Sequence, residues 1–271
     1  MNFKDLGLSD KTIKAIEEVG VKKPTTVQVD VIPSILEGKD IFAIAPGRCG
    51  KTCSYVFPLI DIISRRQGHN ILIITADSAQ SVIVSDRLAV FNKYHEINEE
   101  TLENAEQEID TEANVIIATP DLLLDISKEN KIDFDSVNIL VVDDINLIKK
   151  KHQLQNLEQI LEKLPADKQN IVFTNRRSKE TQDILDKILK TPAEIKVNKD
   201  KEDEAQSSQV EENKSENNVS VKKEEPKKKH SFATPKTDYE AKELVEKYHT
   251  FGNKTPAFLL VKGEVIKNEY K

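Results

Sequence analysis

An apolar run at residues 41–45 empties into Pro46-Gly47-Arg48-Cys49-Gly50-Lys51-Thr52, and the residues after it have helical periodicity. A buried strand, a glycine-bearing turn and a helix N-terminus in that order form a cradle for phosphate, because backbone N–H groups and the helix dipole both face the anion. Lys51 then reaches the β and γ oxygens, and the Thr52 hydroxyl ligates Mg²⁺. The loop Ala45, Pro46, Gly47, Arg48, Cys49, Gly50, Lys51 and Thr52 is therefore the candidate nucleotide site. Two positions depart from the usual form: Ala45 stands where the first glycine is customary, and Arg48 fills a position where glycine is common. A surface turn ahead of a helix is the plain alternative for Gly50-Lys51-Thr52 taken alone.

The surroundings favour the cradle. Residues 1–198 alternate apolar strand candidates, at 41–45, 71–75, 115–119, 139–143, 171–174 and 193–197, with helical stretches. Such alternation predicts an α/β fold, a parallel sheet with helices on both faces. Helices are expected at 9–19 with Ser9 as N-cap, at 26–36, at 51–64, and at 153–164 before Pro165. Phosphate-binding residues then lie at the carboxyl ends of strands, where open α/β sheets take their ligands.

Composition narrows the function. The formal charge of −7 falls almost wholly before Lys199, a poor balance for non-specific RNA binding, which depends on Lys and Arg neutralising phosphates. No apolar stretch approaches the ~20 residues of a membrane helix, and residues 1–5 lack the pattern of a secretory signal, so a cytoplasmic, membrane-free protein is expected. Cys49 and Cys53, one helical turn apart, read as packing residues in a reducing compartment, and the histidines show no ligand spacing.

Upstream of the loop, Gly20-Val21-Lys22-Lys23-Pro24-Thr25-Thr26-Val27-Gln28 is followed by Ile32-Pro33, Leu36 and Gly38-Lys39-Asp40. This run resembles the Q-motif region of DEAD-box RNA helicases, G-aromatic-x-x-P-T-x-I-Q, then I-P, then L-x-G-x-D. The resemblance covers nearly all of residues 1–198 and implies a RecA-like, P-loop NTPase domain that binds ATP and Mg²⁺. It implies that Gln28 reads the adenine edge and that Phe3, seventeen residues before Gly20, packs near the base. Packing of Phe3 onto the first helix is the equal alternative.

Downstream the resemblance erodes. Asp143-Asp144-Ile145-Asn146 stands where the family has D-E-A-D. Asp143 matches the Mg²⁺-associated Asp, acting through water, and Asp144 replaces the catalytic Glu as a general-base candidate one methylene short. A displacement of roughly 1 Å at a reacting centre costs about 10²-fold in rate, so hydrolysis is expected to be slow or absent. Thr119-Pro120-Asp121-Leu122 has lost the Gly and Arg of T-P-G-R, Thr75-Ala76-Asp77-Ser78-Ala79-Gln80 keeps no basic residue of P-T-R-E-L-A, and Thr174-Asn175-Arg176 keeps only a hydroxyl of S-A-T. RNA contact is expected to be weak.

Residues 199–230, almost all charged or polar, are expected to form a disordered linker or an RNA-tethering tail, and residues 231–271 a short helix and possible hairpin that docks on the core or on a protein partner. Nothing after Val197 resembles the family's second RecA-like domain, the source of the arginine finger. Three functions follow: a nucleotide-binding, helicase-like protein with weak ATPase activity and no unwinding alone, a non-catalytic scaffold, or a half-enzyme completed by another chain's RecA-like domain.

Overall fold

Apolar strands without alternation demand cover on both faces, and the computed structural model supplies it; it describes residues 1–65, 70–110, 112–129 and 131–197. The readings for 199–230 and 231–271 lie outside the described residues. Along the chain come α1 (Asp10–Glu18), α2 (Thr26–Leu36), β1 (Ile41–Ile44), α3 (Lys51–Arg65), β2 (Asn70–Ile74) and α4 (Ser78–Phe91). Then follow β3 (Glu99–Thr101), β4 (Val115–Ala118), α5 (Pro120–Ser127), β5 (Val137–Val142) and α6 (Ile145–Lys150). The last elements are α7 (Leu154–Leu161), β6 (Gln169–Thr174), α8 (Lys179–Ile188) and β7 (Ala193–Lys196).

All seven strands are parallel, in the order β3-β4-β2-β5-β6-β1-β7. Successive residues of each central strand feed opposite cores. Ile41, Ala43, Ile71, Ile73, Ile139, Val141, Ile171 and Phe173 pack with α1 to α4. Phe42, Leu72, Ile74, Leu140, Val142 and Val172 pack with α5 to α8. The fold is thus α/β and RecA-like, as expected. β3, α4, α5, α6 and α8 have no counterpart among the expected elements. Two of β3's three residues are Glu, on a sheet edge, and α4 carries apolar residues all round, leaving Val82, Ile83 and Val90 exposed. No described helix is long and apolar enough to cross a membrane.

Ser9 caps α1 as expected, its hydroxyl accepting from the Thr12 N–H. The cap extends into a polar network about 15 Å along α3 from Lys51. Asp61, fully buried, accepts from the Ser9 hydroxyl (2.6 Å), the Ser9 N–H (2.5 Å) and the Thr12 hydroxyl (2.5 Å). With its hydrogen committed to Asp61, Thr12 Oγ1 accepts from His95 Nε2 at 3.0 Å, while His95 Nδ1 faces Ser64 Oγ at 2.6 Å. The network ties α1, α3 and the turn after α4 without a bond to the sheet.

Burial pushes the His95 imidazole below its ordinary value, against the pull of Asp61 and with a small push from Lys11. A histidine whose folded value is depressed binds its proton more readily when unfolded, so its contribution to stability is present above the unfolded value of about 6.5 and is lost as pH falls through it. We expect denaturant unfolding to show a loss of stability between pH 7.5 and pH 5.5 that is smaller in His95→Gln. Equal losses in the two proteins would remove His95 from the titrating groups.

Candidate functional site

The phosphate loop springs from β1 beside β6: Ala45 continues the ladder by donating to the Thr174 carbonyl at 2.9 Å. It then turns through two left-handed residues, Arg48 (φ 66°) and Gly50 (φ 88°). At Gly50 a side chain is barred on two counts. The backbone sits in the left-handed region, and a Cβ would lie 2.8 Å from Gln28 Nε2 and 2.9 Å from Thr25 Oγ1. Arg48 keeps the conformation suited to the glycine it replaces, at a cost of roughly 1–2 kcal/mol.

The start of α2 clamps this loop. Thr25 and Gln28 form a capping box, with Gln28 Oε1 accepting from the Thr25 N–H at 3.0 Å. From it the Thr25 hydroxyl donates to the Cys49 carbonyl (2.9 Å) and Gln28 Nε2 to the Gly50 carbonyl (3.3 Å). Cys49 Sγ reaches the Pro46 carbonyl at 3.1 Å, closing the loop on itself. The loop's carbonyls are thereby turned toward protein. The first intrahelical bond of α3 runs from Ser54 N–H to Gly50 O (3.1 Å), so the N–H groups of Lys51, Thr52 and Cys53 have no intrahelical acceptor. That is the arrangement an anion requires.

Across β6, β5 delivers two carboxylates. Lys51 Nζ lies 3.4 Å from Asp144 Oδ2, each side chain 14% exposed. The other oxygen, Asp144 Oδ1, caps α6 by accepting from the Asn146 and Leu147 N–H groups, both at 3.1 Å. Asp143 is 8% exposed, and the hydroxyl of Tyr55 on α3 donates to its Oδ1 at 3.0 Å. Burial drives the Asp143 carboxyl above its ordinary range; the Tyr55 bond and Lys51 act against it, and Asp144 adds to it. Burial, then the Asp143 charge, push the Tyr55 phenol well above its ordinary value. Two carboxylates facing one ammonium leave a local excess of negative charge, suited to a cation.

Asn146 joins this centre to the end of β6. Its Nδ2 donates to Thr174 Oγ1 (2.7 Å), the Arg176 carbonyl (2.5 Å) and Asn175 Oδ1 (3.4 Å), and the Thr174 hydroxyl donates to the same Arg176 carbonyl at 2.8 Å. The amide therefore serves as a donor hub.

Phe3 and Gln28, the remaining residues expected at the site, are both buried. Phe3 is 4% exposed and meets Phe57 of α3 edge-on, ring centroids 5.8 Å apart, a core contact that leaves little ring surface for a base. Gln28 is 5% exposed with its amide on the loop. Asp77 caps α4 and pairs with Lys151 at 2.9 Å, and Asp121 stands exposed in the first turn of α5. Tyr55 and Thr25 carry contacts that sequence reasoning did not assign. Tyr55 had one signal: it lies four residues after Lys51, on the same helix face, a lone phenol in an apolar run.

A family model described as DEAD/DEAH box helicase matches residues 25–184. The DEAD-box ATP-dependent RNA helicase RhpA of Helicobacter pylori (strain B128) is 27% identical over 202 residues, covering 72% of this chain and 41% of that protein. Among solved structures, a DEAD box protein from the hyperthermophile Methanococcus jannaschii superposes with a TM-score of 0.68 at 25% identity, covering 73% of this chain and 56% of that one. S. cerevisiae dbp5 bound to gle1 and ip6 gives 0.67 at 18% identity, covering 73% and 52%, and bears on the fold alone. The chain spans 41% to 56% of the length of these proteins.

The Arg176 carbonyl can only accept, so Asn146→Asp sets a 3% exposed carboxylate against it and leaves it without its Nδ2 donor. A loss of about 1–3 kcal/mol is expected, read as a lowered denaturant midpoint at pH 7. An unchanged midpoint would show that the hub contributes nothing to stability.

Proposed function

The chain belongs to the DEAD/DEAH box helicase family, and from that membership we propose that residues 1–198 form an ATP-binding, helicase-like domain with weak hydrolysis and no duplex unwinding of its own. The observation that carries this reading is the loop itself: carbonyls of Cys49 and Gly50 turned onto Thr25 and Gln28, with Lys51 held at the mouth by Asp144. In this reading Lys51 exchanges Asp144 for the β and γ phosphates of ATP, Thr52 ligates Mg²⁺, and Asp143 holds it through water.

The carboxylate pair fits a divalent cation, since its negative excess is repaid in a buried site only by a cation. Mg²⁺ supplies charge neutralisation of the phosphates when bound. Release of Lys51 frees Asp144 Oδ2 to accept a proton from water, but Oδ1 stays tied to the start of α6, so the carboxylate is held back from the reacting centre. That supports slow turnover. Gln28 keeps one N–H and one lone pair beyond its bonds to Gly50 and Thr25, enough to meet an adenine edge.

RNA affinity is proposed to be weak because Asp77 and Asp121 stand where the family contacts the RNA backbone. The same acids favour a second reading, a scaffold or a half-enzyme completed by a partner's RecA-like domain. Calorimetric titration separates them. ATP with Mg²⁺ should bind the full chain, Lys51→Ala should weaken binding at least tenfold, and GTP should compete poorly in a manner that depends on Gln28. No binding at millimolar ATP, or equal affinity in Lys51→Ala, would end the nucleotide reading.

A short RNA duplex with excess protein and saturating ATP should separate no faster than with a non-hydrolysable analogue. Asp144→Glu should raise ATP turnover, by up to about 10²-fold, without restoring separation. Strand separation by the unmodified chain alone would overturn the proposal.

A further inference from the structure

We propose that Tyr55 is a positioning residue for Asp143, fixing the orientation of the carboxylate that meets Mg²⁺; this rests on the Mg²⁺–nucleotide reading above. Tyr55 is wholly buried on α3, and a buried phenol must find a partner. Its ring packs at 5.5 Å from Phe173 of β6, which fixes where the hydroxyl points. The hydroxyl donates to Asp143 Oδ1 at 3.0 Å. A bond from phenol to carboxylate thus links the first turns of α3 to the end of β5.

The consequence is geometric. Asp143 Oδ2 is left clear of Tyr55 for water or metal, and its orientation is set by the bond at Oδ1. Thr52 shares its helix with Tyr55, three residues away, so the carboxylate is referred to the helix that carries Thr52. Partners that orient metal-associated carboxylates typically matter by 10- to 100-fold in metal affinity. Removing the phenol hydroxyl leaves the ring packing in place and releases the carboxylate to rotate.

The test compares nucleotide affinity with Mg²⁺ against affinity with excess EDTA, using fluorescent ATP and the full chain. Tyr55→Phe should lower the Mg²⁺-dependent gain about tenfold or more and leave the EDTA affinity unchanged. Asp143→Asn should abolish the gain, and thermal melts of both variants confirm that they are folded. A gain lost in Asp143→Asn but intact in Tyr55→Phe overturns the role of Tyr55 while keeping the site. A wild-type chain indifferent to Mg²⁺, or a gain intact in Asp143→Asn, overturns the metal reading and the inference with it.

Discussion

A parallel sheet covered on both faces has no interior place for a polar group except at its ends, and this constraint organises the rest of the molecule. Ile71 to Ile74 and Ile139 to Val142 send every side chain into one core or the other. Polar residues therefore gather at the carboxyl ends of the strands: Thr75 after β2, Asp143 and Asp144 after β5, Thr174 at the end of β6. Desolvated there, they must be paired, because an unmet buried polar group costs about 1–3 kcal/mol and a charge more. The strand order sets β6 between the loop after β1 and the acids after β5, so Lys51 and Asp144 pair across it.

Pairing at this edge is distributed among groups of limited capacity. Asp144 divides its oxygens between a helix cap and an ammonium, Asp143 gives one oxygen to a phenol, and Asn146 spends its donors on the end of β6. Binding of an anion by Lys51 would change the environment of both carboxylates, since the ammonium opposes the rise in the Asp143 carboxyl and pairs with Asp144. A positively charged metal ion arriving with the anion replaces what Lys51 withdraws. The two ligands are for that reason expected to bind together rather than in either order.

Most of the sheet was legible because β1, β2, β4, β5 and β6 carry apolar runs of three residues or more that end in turn-forming or polar residues. β7, Ala193-Glu194-Ile195-Lys196, was legible as a short alternating strand. β3 was not, since Glu99, Glu100 and Thr101 form an edge strand with no apolar face to announce it. α4 hid for the opposite reason, with Val82, Ile83 and Val90 blurring its period. At the site, residue types and spacing pointed to Lys51, Thr52, Asp143 and Asp144, and the strand order brings Lys51 to Asp144. The partners of those residues were illegible. A Tyr55 to Asp143 bond spans 88 residues of chain, and no local pattern encodes it.

Departures from the family pattern are matched by local chemistry rather than left as gaps. Where D-E-A-D ends in a carboxylate, Asn146 supplies donors, and the groups around it, Thr174 Oγ1 and the Arg176 carbonyl, present acceptors. Asp77, where a basic residue is usual nearby, has gained Lys151 from the end of α6. Arg48 holds a left-handed backbone that its side chain does not favour, yet the loop keeps its turn because Thr25, Gln28 and Cys49 grip it from three sides. Asn146 and Asp77 sit among complementary partners, and Arg48 is held by the grip on the loop around it. Mutual satisfaction of that kind is the physical mark of an edge still held to one geometry, and it is strongest where Lys51, Asp143 and Asp144 converge.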